Sequence, residues 1–303
     1  MKLQLFLFVM MVGFSTAFIP TRTLHFFSLA WSSINHRIIT RSGLGCSVIE
    51  FLEANPKYLN EKRADQLASV NTAELLEGRT SSELFVLVKS SKFKDAVKEI
   101  EYANADVDDK EETITAAHFD AEQFREGSKR LIRLKREIIS LIENAGDDEV
   151  KYSKARKEAG RLLHTLQDFY SHSNWIETGN RDPFTILGAE IINRDHVADA
   201  NERTCKDCTS ANLLHILGLA WDNCHNNLLN TKKLTSGYYS GQDVVKPVGV
   251  GKCSHGGILD KSRKIDAKGG INKDSTLRYL SPHYTQHKPA ARVAIKATKL
   301  FFD

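Results

Sequence analysis

Hydrophobic residues recur at helical spacing along most of the chain, and strand-like alternation is sparse. The pattern predicts a helix over 34–53, broken near Pro56, and another over 84–102 that ends in the acidic, Asn-containing stretch 104–109. His118-Phe119-Asp120 is expected to open a long helix. Asp120 and Gln123 would cap it, Leu131, Leu134, Ile138 and Leu141 would form its stripe, and Gly146 would end it. A second long helix starts near Asp147-Asp148, with Ala155, Ala159, Leu162, Leu166 and Phe169 on its buried face. Over about 180–280 the periodicity gives way to glycine, cysteine and short polar runs, with one expected helix at 211–229. It returns over 288–303. The expected fold class is therefore all-α, a single multi-helix domain over 18–303 with an irregular, disulfide-bearing insert.

The N-terminus changes the compartment. Met1-Lys2, the apolar run 3–14 and then Ser15-Thr16-Ala17 read as a secretory signal peptide cut after Ala17. No other stretch approaches the ~20 apolar residues of a membrane-spanning helix. In an oxidising compartment Cys205, Cys208, Cys224 and Cys253 should form two disulfides, their pairing left open, with a four-cysteine zinc site as the rival reading. Cys46 is then left free or pairs with another chain. Lys and Arg number 42 against 38 Asp and Glu, and the two signs are interspersed, so no basic tract argues for nucleic acid.

The candidate chemistry lies in the run 163–175 (LHTLQDFYSHSNW). His164, Asp168 and His172 follow one another at four-residue steps, and on a helix each step turns roughly 400°, so the three form one slowly drifting ridge. Imidazole and carboxylate presented together on a helix face suit a zinc ion. A solvated polar face is the competing reading. The bulky Leu163, Tyr170 and Trp175 beside the ridge argue for burial, where polar atoms require partners.

The run 164–177 (HTLQDFYSHSNWIE) resembles the signature of the fungal heterokaryon-incompatibility C proteins and, more closely, the N-terminal region of the von Willebrand factor A domain-containing protein 7 family. The similarity continues through 118–124 (HFDAEQF), 234–238 (LTSGY), 251–257 (GKCSHGG), 269–275 (GGINKDS) and 281–283 (SPH). In that family a von Willebrand A domain follows, whereas this chain holds no Asp-x-Ser-x-Ser metal motif of such a domain.

A more distant resemblance, to the zinc-dependent phospholipases C and fungal single-strand nucleases, implies one to three zinc ions. Their ligand order maps onto Trp31, His36, Asp106, His118, His164, Asp168, His172, His283 and His287. Two positions depart from that pattern. His172 follows Asp168 by four residues instead of about six, and the final pair is His-His instead of His with a carboxylate. The resemblances imply a secreted extracellular module that binds metal and an extracellular partner in adhesion or assembly. The alternative is a zinc-dependent phosphodiesterase. His255 resembles a family landmark without an evident role, and His215 and His225 are expected to decorate the insert's helix.

Overall fold

The computed structural model describes residues 33–58, 67, 70–78, 90–208, 224–229 and 232–303. The expected signal peptide, Trp31, His215 and most of the helix expected at 211–229 lie outside these. Residues 224–229, at the end of that expected helix, form a turn and an isolated bridge instead.

Among the described residues there are seven α-helices and no strand: α1 His36–Ala54, α2 Thr72–Leu76, α3 Ser91–Lys110, α4 Thr115–His118, α5 Phe124–Glu143, α6 Glu149–His172 and α7 His287–Phe302. Side-chain caps set several starts. Asn35 accepts from the Ile38 amide at 3.0 Å, Ser90 from Phe93 at 3.3 Å and Asp148 from Val150 at 2.9 Å, each cap worth about 1 kcal/mol.

The long helix α6 is the centre of the bundle and packs against α3, α5 and α7, while α1 lies across α7 and α3. One continuous core joins Leu131 and Leu134 of α5, Leu162 and Phe169 of α6, and Val293 and Ile295 of α7. From Leu162 to His172 every residue of α6 is buried, on all sides of the helix. A glycine permits this at the α3 crossing. A Cβ on Gly160 would sit 2.4 Å from the Ile100 carbonyl oxygen, so the two backbones touch there.

Two stretches differ from the sequence-based expectation. Helix α3 does not stop before 104–109 but runs through it to Lys110. The acidic residues are tolerated because the helix divides them: Asp106 turns outward to Lys110 at 2.6 Å, while Asp108 is fully buried. Second, His118 does not open the long helix. It ends the single turn α4, and Phe119, Ala121 and Glu122 then take left-handed backbone angles (φ 53°, 52° and 61°) before α5 begins at Phe124. Such conformations are costly for residues with a Cβ and persist where the surroundings dictate them. Here the Ala121 amide donates to the Gly237 carbonyl at 2.8 Å and the Glu122 amide to Ser236 Oγ at 2.9 Å. Asp120 is thereby turned inward and caps no helix; it accepts from Gln242 Nε2 at 2.8 Å.

The insert is held by two disulfides, Cys205–Cys253 and Cys208–Cys224, which settles both the pairing and the rival four-cysteine zinc reading. Cys46 is buried and free, and burial pushes its thiol up to about 11. The insert's interior is unusually polar. Lys252 reaches Glu122 at 3.1 Å, and Lys273 donates to Glu177 at 2.8 Å and to the Ser173 carbonyl at 2.9 Å. Burial raises Glu122 to about 7 even beside Lys252. Burial also acts to raise Glu177, but Lys273 and His283 outweigh it and hold that carboxyl at about 2.

Candidate metal centre

Asp168 is the hub. Its Oδ2 lies 3.0 Å from His164 Nε2 and 3.0 Å from His118 Nδ1, and these two nitrogens are 3.1 Å apart. Its Oδ1 lies 3.1 Å from His36 Nε2, and the His36 ring stacks on His164 with centroids 4.2 Å apart. Asp108 Oδ1 is 3.7 Å from His164 Nε2. The donors thus come from four helices: α1 (His36), α3 (Asp108), α4 (His118) and α6 (His164, Asp168). All five side chains are at most 2% exposed.

The hydrogen bonds behind the rings determine what the rings present. Asn104 Nδ2 donates to Thr40 Oγ1 and Gln167 Oε1, so its Oδ1 is the acceptor that receives His164 Nδ1–H at 3.2 Å. His118 Nε2–H donates to the Glu111 carbonyl at 3.2 Å. Gln167 Nε2 donates to Thr40 and Thr298, so its Oε1 accepts from His36 Nδ1–H at 2.7 Å. With the outer nitrogens carrying these protons, a neutral ring turns the lone pair of its inner nitrogen towards Asp168.

Burial brings His164 down to about 3, which keeps that ring neutral, while Asp168, despite its own burial, is held well below the usual carboxylate range by the surrounding histidines. With both rings neutral, His164 Nε2, His118 Nδ1 and Asp168 Oδ2 are three acceptors in mutual contact, an arrangement that a cation resolves; without one, a proton on His118 Nδ1 bridges to Asp168 Oδ2 at 3.0 Å. A tetrahedral ion with nitrogen and oxygen bonds of ~2.0 Å has ligand-to-ligand edges of roughly 3.3 Å, close to the observed triangle. An N–H of each ligand imidazole fixed by a carbonyl oxygen is also the usual support of a metal-binding histidine. The residues present therefore fit zinc.

The remaining expected ligands go elsewhere. Asp106 faces outward on α3, and Asp108, two positions later, takes the inward place; an acidic stretch expected to end the helix carries no helical phase that would single it out. His283 Nδ1 contacts Glu177 at 2.6 Å and its Nε2 contacts Asn227 Oδ1 at 2.8 Å. His287 Nδ1–H donates to the Lys273 carbonyl at 2.6 Å, and its Nε2 accepts the Ile34 amide at 2.8 Å. Both of these histidines tie the last helix to its neighbours and stand outside the Asp168 cluster. His172 lies one turn past Asp168 and faces a different group, Asp120, His255 and Asp274. Asn104 and Gln167, which orient the rings, had no signal in the sequence beyond their place on the helices.

Residues 64–303 match the VWA7 N-terminal domain family. The von Willebrand factor A domain-containing protein 7 of Rattus norvegicus is 35% identical over 287 residues, covering 90% of this chain and 29% of the rat protein. Its namesake in Mus musculus is 39% identical over 211 residues, covering 69% of this chain and 22% of the mouse protein. That of Homo sapiens is 35% identical over 285 residues, covering 90% and 29%. The chain spans less than a third of the length of these relatives. No solved structure matches it. On the extent of these matches, the chain belongs to the VWA7 N-terminal domain family.

Proposed function

We propose that this chain is a secreted extracellular module, acting in adhesion or assembly, whose helices are tied together by a zinc ion. His118, His164 and Asp168 would hold the ion, with His36 and Asp108 beside them. The observation that carries the reading is the triangle of facing acceptors, with edges of 3.0–3.1 Å, at the meeting point of four helices. Zinc bound there would supply folding free energy by linking α1, α3, α4 and α6. Two disulfides in the insert support the extracellular setting.

The second reading is a zinc-dependent phosphodiesterase. It is favoured by Asp168 presenting Oδ1 to His36 and Oδ2 to His118 and His164, the layout of a carboxylate between two ions. Burial weighs against it, because a catalytic zinc keeps a position open to water and substrate, and every donor here is at most 2% exposed.

Metal content and turnover separate these readings. The purified chain should retain zinc through extended dialysis at neutral pH, and His164→Ala with Asp168→Ala should remove it from this centre and lower the melting temperature. The zinc-loaded protein should not turn over an activated phosphodiester, a short-chain phosphatidylcholine or single-stranded DNA. Multiple turnovers abolished by Asp168→Asn would move the protein to the enzyme class, and a folded wild type that takes up no zinc on reconstitution would overturn the metal reading.

A further inference from the structure

We propose that His172, His255 and Asp274, backed by Asp120, form a second divalent-cation centre, separate from the one on Asp168. His172 Nε2 lies 3.2 Å from His255 Nε2 and 3.2 Å from Asp274 Oδ1, and His255 Nε2 lies 3.2 Å from Asp274 Oδ2. These edges match the roughly 3.3 Å of a tetrahedral ion with ~2.0 Å bonds. The outer nitrogens are provided for as in the first centre. His172 Nδ1–H donates to the His118 carbonyl at 2.9 Å with Asp120 Oδ1 at 3.1 Å, and His255 Nδ1, which also has Asn272 Nδ2 at 3.2 Å, donates to the Gly256 carbonyl at 3.1 Å when this outer nitrogen carries the proton. With both rings neutral, their inner nitrogens face the Asp274 carboxylate with their lone pairs.

Burial and charge point the same way. The four residues are at most 3% exposed, and Asp120 Oδ1, 3.1 Å from His172 Nδ1, has no well-aligned hydrogen bond. Two carboxylates beside two imidazoles leave a buried negative field that a divalent ion would neutralise. Two nitrogens and a carboxylate oxygen are borderline donors of the kind zinc accepts.

The centre is built by the backbone rather than by one helix. Asp120 comes from the left-handed turn before α5 and His172 from the last turn of α6. His255 and Asp274 come from two glycine-bearing runs of the insert that lie against each other: a Cβ on Gly270 would meet the His255 carbonyl oxygen at 2.3 Å. Ser171 Oγ, beside His172, donates to Asp274 Oδ1 at 2.5 Å and fixes that carboxylate. The runs 118–124, 164–177, 251–257 and 269–275, which the Asp168 centre absorbs only in part, each place one residue here.

A zinc-edge anomalous difference map of wild-type crystals grown with zinc, together with metal analysis of the His255→Gln variant, tests this. We expect a peak in contact with His172 Nε2 and His255 Nε2, distinct from the peak at Asp168. The folded variant should lose about one ion per chain while the Asp168 ion stays. A peak at Asp168 alone, or unchanged zinc in the variant, would mean a proton-bridged His–Asp network and overturn the proposal. A peak at His172 without one at Asp168 would uphold it and sink the first centre. If His255→Gln does not fold, the wild-type map decides alone.

Discussion

Asp106 and Asp108 are two positions apart on α3, which is roughly 200° around the helix axis, and that angle separates their roles. Asp106 pairs with Lys110 at the surface, where an i,i+4 ion pair contributes only ~0.3–0.5 kcal/mol. Asp108 lies fully buried against the His164 ring. Asp108→Asn should therefore weaken zinc binding about 10–100-fold in a competition titration against a fluorescent chelator, while Asp106→Asn stays close to wild type. Equal effects would contradict the assignment. The sequence made His164 and Asp168 legible through a helical ridge and a family motif, His118 through the family run 118–124, and His36 through the more distant ligand order alone. It did not mark Asp108, because an acidic run with an Asn reads as a loop until the helix on either side is known to continue. Nor did it reveal that the ridge serves two groups: His172 shares a helix face with Asp168, and only the turn at 119–122 brings Asp120 to it from another direction.

At the scale of elements, the periodic segments were legible and the junctions were not. The stripes of α5, α6 and α7 lie where hydrophobic spacing put them, apart from the half-buried Leu141 at the end of α5, because a helix that buries one face must repeat apolar residues about every 3.6 positions. The reversal between α4 and α5 had no such signal, since Phe119, Ala121 and Glu122 are not residue types that favour left-handed angles. Tertiary bonds from Ser236 and Gly237 impose that backbone. The contact of α3 with α6 depends on Gly160 in a comparable way. In an open helix Gly→Ala gains about 1 kcal/mol of helical propensity. Here the new methyl would press on the Ile100 carbonyl and on Asn104, the residue that orients His164. Gly160→Ala should accordingly destabilise the protein by about 1–3 kcal/mol and reduce zinc retention with it. A chemical-denaturation curve beside a metal assay checks both. A stabilised variant with wild-type zinc would show that the helices separate at no cost.

Taken as a whole, the molecule joins two regions that exclude water by different means. The helical bundle has a continuous apolar core, whereas the insert has a small cluster of Cys205, Cys253, Ala267 and Ile271 surrounded by buried lysines held on carboxylates and carbonyls. So little apolar burial leaves the insert dependent on its covalent links. Cys205–Cys253 closes a separation of 48 residues, for which loop entropy gives about 4 kcal/mol, and Cys253 lies two positions from His255. The Asp168 centre draws its ligands from helices alone. Cys205→Ala with Cys253→Ala, in protein whose other disulfide is intact, should lower the stability of the insert by ~2–5 kcal/mol. Hydrogen exchange should then quicken over 251–275 while the amides of α5 and α6 keep their protection. Uniform loss of protection across bundle and insert would mean that the two unfold as one unit. Unchanged exchange at 251–275 would mean that the buried lysine pairs hold the insert without its disulfide.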